Sequence, residues 1–301
     1  MTASDAGQQR RPLEACRSWL FTGFPQAAGG DIAICGADAI ILELEDFTVP
    51  AARGDAWAAA PELFARWRDV GALVAVRVNP LDGDGRDDLE GCMAGRPDVV
   101  MLPKVAGPDD IAALADAIGA HETSLGIEPG STKIVPNIES ASALFQTRDI
   151  AAASARLVGC LLASEDLTAD LGAPRTRDGH ELAFARQYFH AACVAAGVLS
   201  IDYPYTFADE DGLERSCADA LALGYRAKSL VAPEHAERVN DAFTPGESEL
   251  AAAQRIVGAF TQAREKGQDR ARLDGHILEV PTFRNAQALI ARADLLAAYA
   301  R

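Results

Sequence analysis

The stretch VVMLPKVAGPDDIAALADAIGA (residues 99–120), which is soon followed by KIVPNIES (133–140), decides the fold class. Segment 99–102 is continuously apolar and predicts a buried strand, while the apolar spacing over 108–117 predicts an amphipathic helix. A second apolar run at 133–138 predicts another strand. A strand, a helix and a strand in this order are typical of a βαβ unit, in which the two strands are parallel.

The same alternation of apolar runs and alanine-rich amphipathic segments continues through most of the chain. It predicts eight strands, at residues 19–22, 39–44, 73–78, 99–102, 133–138, 157–162, 199–202 and 227–231. Helices are predicted between them, most clearly at 51–68, 108–117, 141–153, 181–196 and 212–223. Eight strands that are each followed by a helical segment predict the α/β class and a closed (β/α)₈ TIM barrel.

An open, doubly wound sheet is the competing architecture. It would carry a G-x-G-x-x-G fingerprint after an early strand, whereas the first predicted strand leads into TGFPQAAGGD (22–31). A G-x-x-x-x-G-K-[ST] phosphate loop is also missing from the sequence. The barrel is therefore the favoured architecture.

The C-terminal part of the chain exceeds what a barrel needs. An alanine-rich helix is predicted near 248–262, followed by the polar stretch EKGQDRARLDG (265–275) and a last helix at 285–298. We expect residues 1–265 to form the barrel catalytic domain and residues 266–301 to form a hinge and a C-terminal helical lid segment.

Composition excludes several classes of protein. The 301 residues are 49% hydrophobic, which is enough for a large core, and 28 Lys and Arg against 44 Asp and Glu give a net charge of −16. Such a charge repels nucleic acid and anionic membrane surfaces, so we expect neither as a partner. The sequence has no transmembrane run, no apolar signal segment near its start and no C-x-x-C pair among its six cysteines, which predicts a cytoplasmic protein.

Charged residues follow several of the predicted strands, and in a TIM barrel this end of the strands carries the active site. These residues are Glu45 and Asp46, Arg77, Lys104, Glu139, Glu165 and Asp166, and Asp202. Carboxylates without cysteine or histidine beside them suit Mg²⁺, which binds oxygen ligands and keeps several waters. The alternative for each acid is that it caps the following helix or is simply solvated. Glu139 and Asp166 stand at matching depth on neighbouring strands, which favours a metal site for this pair.

Six short motifs occur along the chain in an order that is typical of a known protein family. The motifs are RSWLF (17–21), ADAIILELED (37–46), VAVRVNPLDGDGRDDL (74–89), VVMLPKV (99–105), IVPNIESA (134–141) and ASEDLTADLG (163–172). In this order they resemble the family of citrate lyase β-subunits, malyl-CoA lyases and citramalyl-CoA lyases, which is related to the hydroxy-oxo-acid aldolases. The resemblance extends over residues 17–292.

The resemblance implies a barrel that assembles as a homotrimer or hexamer and binds Mg²⁺ through Glu139 and Asp166. It implies that Arg77 binds the substrate and stabilises negative charge during the reaction. We expect Glu45 and Asp46 to orient metal-bound water or Arg77, and Lys104 to contact an anionic group of the substrate or an acid of the site.

Two further parts of the sequence are implied to reach the substrate. Phe21 and Gly23 end the first strand, before a loop that in this family often contacts coenzyme A. Glu279 in DGHILEVP (274–281) takes the position of the family's acid/base aspartate, on a lid that reaches a neighbouring subunit. The sequence departs from the family at residues 231–235, where VAPEH replaces I-H-P-x-Q.

The function implied by the resemblance is that of a Mg²⁺-dependent carbon–carbon lyase. It would cleave a 3-hydroxyacyl-CoA thioester of malyl, citramalyl or citryl type into acyl-CoA and a 2-oxo acid, or form the thioester from these two molecules. Hydrolysis of the thioester, aldol chemistry on a free hydroxy-oxo acid and a non-catalytic metabolite-binding barrel remain as alternatives. Among the histidines, His121 in an expected polar loop and His190 in a helix are assigned structural roles.

Overall fold

The protein, described here from a computed structural model that covers residues 11–268 and 270–300, contains a closed barrel of eight parallel strands in sequential order. This confirms the predicted (β/α)₈ fold. The barrel strands are β1 (Ser18–Gly23), β2 (Ala39–Glu43), β3 (Leu73–Arg77), β4 (Val99–Leu102), β5 (Lys133–Ile138), β6 (Gly159–Leu162), β7 (Leu199–Asp202) and β8 (Ala227–Leu230).

Helices connect consecutive strands around the barrel. They are α1 (Gly30–Ile34), α2 (Arg53–Asp69), α3 (Gly85–Met93), α4 (Pro108–Leu125), α5 (Ala141–Phe145), α6 (Thr147–Ala152), α7 (Ser164–Asp170), α8 (Ala183–Ala196), α9 (Glu210–Leu223) and α10 (Ala236–Ala242). Short 3₁₀ turns lie at Leu13–Ala15, Gln26–Ala28, Pro50–Ala52, His180–Leu182 and Pro233–His235.

Helix boundaries differ from the sequence prediction most clearly in α4 and in the segment predicted over 141–153. Helix α4 continues to Leu125 and ends at Gly126, whose φ of 62° is in the left-handed region. His121 therefore lies in a helix and not in the expected polar loop. The helix predicted over 141–153 is divided into α5 and α6 at Gln146, whose backbone leaves the helical range and whose side-chain amide donates to the carbonyl oxygen of Ala106 at 3.0 Å.

Two apolar layers follow from the alternation of side chains along each strand. Ile41, Ala75, Val135 and similar residues fill the barrel lumen. The residues between them face outward and pack under the helices, as Ile40 and Val74 do. Because both faces of each strand are covered, the strands read as continuous apolar runs in the sequence.

Asp202 is an outward-facing residue, since its neighbour Ile201 belongs to the lumen layer. Its carboxylate accepts hydrogen bonds from Arg186 at 2.9 and 2.7 Å and from Lys228 at 2.6 Å, and all three side chains are buried. The expectation that Asp202 joins the other acids at the barrel mouth is therefore wrong. It anchors α8 to the outside of the barrel.

A second compact unit comprises Thr244–Arg301, and the first unit ends at Phe243. It contains α11 (Glu247–Glu265), a hairpin of β9 (Ala271–Leu273) and β10 (His276–Leu278), and α12 (Val280–Ala298). Phe260 and Phe283 stack with ring centroids 4.3 Å apart in its small core. Helix α11, which the sequence analysis placed with the barrel, packs on α12 and β9. In the part of the chain that is described, no helix has the length and apolarity to cross a membrane.

Glu122 fixes the entry into strand β5. Its fully buried carboxylate accepts hydrogen bonds from Arg156 at 2.9 and 2.7 Å and from the backbone N–H groups of Thr132 and Gly130 at 2.9 and 2.8 Å. Burial alone would raise the pKa of Glu122, but the hydrogen bonds from Arg156, Thr132 and Gly130 outweigh it and lower the pKa to about 2. The ionised carboxylate therefore stabilises the folded state.

We expect Glu122→Gln to lower the free energy of unfolding at pH 7 by about 2–4 kcal/mol, because it leaves Arg156 without its ionic partner. The pKa of Glu122 is lower in the folded than in the unfolded chain. The stabilisation of the folded state by the Glu122 carboxylate is therefore complete above about pH 5 and is lost as the pH falls towards about 2. Thermal unfolding followed by circular dichroism from pH 7 to pH 3 measures this. The exposed neighbour Glu128→Gln is the control, and a gap between wild type and Glu122→Gln that does not narrow in acid contradicts the assignment.

Candidate active site

Polar residues occupy the last inward-facing positions of three barrel strands. Glu43 lies two residues after Ile41 on β2, Arg77 two residues after Ala75 on β3, and Asn137 two residues after Val135 on β5. Since residues two apart on a strand face the same side, all three side chains continue the lumen layer towards the C-terminal end of the barrel. The polar side chains therefore form the layer that follows the apolar residues of the lumen, at the C-terminal end of the strands.

Arg77 is the central cation of this layer. It lies opposite Glu43 in the register of β2 and β3, and its Nε donates to Oε2 of Glu43. Its Nη2 lies 3.4 Å from carboxylate oxygens of both Glu45 and Asp46. Burial alone would lower the pKa of Arg77, but the charge and hydrogen bond of Glu43 and the charge of Glu45 raise it. The guanidinium is therefore held in a fixed place and stays charged.

Glu43 organises the loop after β2. Its side chain is fully buried, and Oε1 accepts the backbone N–H groups of Glu45 at 2.5 Å and Asp46 at 3.0 Å. These bonds direct the acids at 45 and 46 towards Arg77. Glu43 is not among the site residues predicted from the sequence, although the period-two pattern after Ile41 is a signal that identifies it.

Glu139 follows β5 and is 4% exposed. One carboxylate oxygen, Oε1, accepts the backbone N–H of Lys104, whereas Oε2 is buried and has no hydrogen-bond partner among the described residues. Burial raises the pKa of Glu139 to about 7, against the lowering effects of the Lys104 N–H and Arg77, and the negative charges of Glu45 and Asp166 add to the increase. This oxygen is therefore available to a cation or a proton.

Lys104 uses its backbone and its side chain for different acids. Its φ of 52° presents the N–H to Glu139, and its Nζ lies 2.8 Å from Oε1 of Glu45. The side chain is 55% exposed and borders a neighbouring cavity of about 380 Å³ that Asp82, Arg86 and Asp110 also line. Lys104 thus connects the loops that carry Glu45 and Glu139.

A cavity of about 450 Å³ opens at this end of the barrel. It brings together Phe21, Asp46, Arg77 and Asp166 of the predicted site residues, and the Arg77 guanidinium lies 4.9 Å from the centre of the Phe21 ring. The other lining residues are Phe47, Asn137, Leu161, Ala163, Ser164, Glu165, Pro204, Thr206 and Val231. Asn137 is fully buried, and neither atom of its amide group has a hydrogen-bond partner in the described structure.

Asp166 and Glu165 lie in the first turn of α7 at the edge of this cavity, and both are exposed. Glu165 is bound by Arg175 at 3.1 Å and by the Thr206 hydroxyl at 3.0 Å, so its charge is already paired. Asp166 lies close enough to Glu139 to influence its titration. The described residues contain no group of three or more His, Cys, Asp or Glu side chains placed to hold a metal ion, so Glu139 and Asp166 would have to share the ion with other ligands.

Five predicted site residues do not line the cavity: Glu45, Lys104 and Glu139, which are described above, and Gly23 and Glu279. Gly23 ends β1 with its backbone against Phe47, where a Cβ would approach the Phe47 carbonyl oxygen to 2.0 Å. Its role is therefore to let the Phe47 segment, whose side chain lines the cavity, come close. Glu279 lies in the second compact unit, where it is exposed and immediately precedes α12.

Similarity to known proteins extends far beyond the site residues and covers most of the chain. The sequence profile of the family described as HpcH/HpaI aldolase/citrate lyase matches residues 17–233. The citrate lyase subunit beta of Escherichia coli (strain K12) is 32% identical over 96% of this chain and 97% of that protein. The L-malyl-CoA/beta-methylmalyl-CoA lyase of Cereibacter sphaeroides is 28% identical over 97% of this chain and 98% of that protein.

A solved structure shows the same similarity in three dimensions. The protein CitE from Mycobacterium tuberculosis, crystallised in complex with magnesium, acetoacetate and coenzyme A, superposes with a TM-score of 0.74 and 26% sequence identity. The match covers 94% of this chain and 100% of that chain.

We expect Gly23→Ala to destabilise the protein by about 1–3 kcal/mol, because the new Cβ forces the Phe47 backbone away from β1. The melting temperature should fall by several degrees, as measured by differential scanning calorimetry. The matched control is Gly54→Ala in helix α2, where a Cβ meets no atom within 4 Å. A wild-type melting temperature for Gly23→Ala would show that this close approach does not constrain the loop.

Proposed function

This chain belongs to the HpcH/HpaI aldolase/citrate lyase family, and we propose that it is a carbon–carbon lyase acting on a 3-hydroxyacyl-CoA thioester. In the cleavage direction the C3 hydroxyl gives its proton to water, the C2–C3 bond breaks and C3 becomes the carbonyl carbon of a 2-oxo acid. The electron pair passes to C2 as a thioester enolate, which takes a proton and leaves as acyl-CoA. The observation that carries the proposal is the charged Arg77 beside Glu139, whose buried Oε2 is unpartnered, at the C-terminal end of the barrel.

The residues Glu139 and Asp166 fit a magnesium ion. Both offer oxygen ligands, and the unpartnered Oε2 of Glu139 needs a positively charged or hydrogen-bonding partner in its buried position. When bound, Mg²⁺ supplies a Lewis acid that polarises the oxygens of the oxo-acid part. Water and substrate oxygens would complete its shell, as is usual for this ion.

Arg77 supplies the positive charge that the reaction needs in the protein itself. Its Nε is engaged by Glu43, while the outer side of the guanidinium faces the cavity. In that position it stabilises the enolate or a carboxylate of the substrate, and because it does not move, little reorganisation is required. Glu45 and Asp46 hold it from the loop side, and Lys104 supports Glu45.

Protonation of the enolate involves a second subunit in this proposal. A thioester enolate needs a proton donor, and we assign this role to Glu279, provided by a neighbouring subunit of a homotrimer or hexamer. Its exposed carboxyl at the start of α12 is accessible for such a role. Phe21 and the loop that follows Gly23 would contact the thioester as it enters through the cavity mouth.

We expect Glu139→Gln and Asp166→Asn each to weaken Mg²⁺ binding by about 10-fold or more, since each removes an anionic ligand. Isothermal titration calorimetry with MgCl₂ measures this. An assay of 2-oxo acid release from malyl-, citramalyl- and citryl-CoA, with and without Mg²⁺, tests the reaction. Glu165→Gln is the matched control on the same turn, and it should keep its affinity within about fivefold because its partner is Arg175.

Unchanged Mg²⁺ affinity in either ligand variant contradicts the assignment of that ligand. Release of no 2-oxo acid from any of the three thioesters contradicts lyase action on malyl-, citramalyl- and citryl-CoA.

A mixing experiment tests the composite site. Asp166→Ala and Glu279→Ala proteins should each be inactive, whereas mixed oligomers contain some sites with both an intact Asp166 and a neighbour's intact Glu279. Activity should therefore reappear after subunit exchange, which is monitored by native mass spectrometry. A monomer at working concentration, or exchanged oligomers that stay inactive, would exclude a lid shared between subunits.

A further inference from the structure

Asn137 carries a buried amide group that the described residues do not satisfy. The residue is 0% exposed, and within the described structure neither Nδ2 nor Oδ1 makes a hydrogen bond. A buried donor and a buried acceptor without partners are both costly, and native proteins rarely keep them. Because Asn137 lines the 450 Å³ cavity, a bound molecule can provide the missing partners.

The surroundings of Asn137 explain why none of the described residues hydrogen-bonds its amide. Its register partner on β6 is Leu161, and Val135 precedes it on the inward face of β5. Glu139 lies two residues further along the chain, so Asn137 lies about 7 Å deeper than Glu139 along the strand direction. The amide therefore has the apolar side chains of Val135 and Leu161 as lumen neighbours, while Arg77 and Glu43 hold the matching last inward-facing positions of β3 and β2.

We propose that Asn137 is a specificity-determining residue that hydrogen-bonds a hydroxyl group on the oxo-acid end of the substrate. This inference rests on the proposed function. The coenzyme A part of a thioester is too large for a 450 Å³ cavity and has to leave through the mouth, so the small oxo-acid end occupies its inner part. A substituent of the oxo acid that extends below the level of Glu139 then reaches Asn137.

The chemistry of the cavity favours a hydroxyl over other substituents. A hydroxyl donates and accepts hydrogen bonds and so suits an uncharged amide, whereas a methyl group leaves the amide without a partner. A second carboxylate would need a cation in addition to the one that binds the first carboxylate. Among the described residues that line the cavity, Arg77 is the one cation, and Glu43 already engages it.

The test compares two acids that differ by one hydroxyl. Isothermal titration calorimetry in MgCl₂ should give hydroxypyruvate an affinity for the wild-type protein about 10-fold higher than that of pyruvate. In Asn137→Leu, which keeps the branching of the side chain and removes the amide, this preference should disappear. Leu161→Met is the control at the same depth, and it should retain the preference because the amide remains.

A ligand-free measurement distinguishes a binding role from a structural one. Asn137→Leu should raise the melting temperature by a few degrees, since it replaces an unsatisfied amide that has apolar lumen neighbours. A lower melting temperature would show that Asn137 has a structural partner such as a buried water, and would overturn the inference. If Asn137→Leu does not fold, Asn137→Ala takes its place in the titrations, with the same loss of preference expected.

The titrations also separate this inference from the proposed function. Equal affinity of the wild-type protein for the two acids, or a preference that survives in Asn137→Leu, overturns the role of Asn137 and leaves the lyase proposal in place. Binding of neither acid in the presence of Mg²⁺ overturns both.

Discussion

Every second residue of a strand in a closed eight-stranded barrel faces a lumen that side chains must fill, and this constraint organises the whole protein. Ile41, Ala75 and Val135 fill it with apolar groups. A polar side chain can be both buried and reachable from solvent only at the last inward position of a strand. Glu43 and Arg77 occupy such positions and neutralise each other, which makes a charged layer compatible with the apolar lumen beneath it.

The charges around Arg77 explain what kind of ligand the site can accept. Glu43, Glu45 and Asp46 surround one guanidinium, and Glu139 and Asp166 add further negative charge. An anionic oxo acid would be repelled by this excess of acid, in a chain whose net charge is −16. An added divalent cation would offset part of this negative charge at the point where the oxo acid binds, so the acidity of the site is consistent with its proposed metal.

The sequence predicts the barrel well because parallel strands that are buried on both faces are continuous apolar runs, as at Val99–Leu102. It predicts the residues near strand ends less well, because the side to which a residue points depends on register. Asp202 is predicted at the mouth and lies outside the barrel, whereas the buried Glu43 is less conspicuous in the sequence than the acids at 45 and 46. The attachment of α11 to α12 depends on tertiary packing, which no local pattern records.

Strand β5 carries Asn137 and, directly after its end, Glu139 on the same inward side but at different depths. A substitution at the deeper position changes the shape and polarity of the inner part of the cavity without altering the backbone that presents the acid above it. Duplicated genes for such a barrel can therefore diverge in the molecules they accept while inheriting the same reaction. Because Asn137 and Glu139 are two residues apart on one strand, selection can change the residue that contacts the substrate without changing the acid that takes part in the reaction.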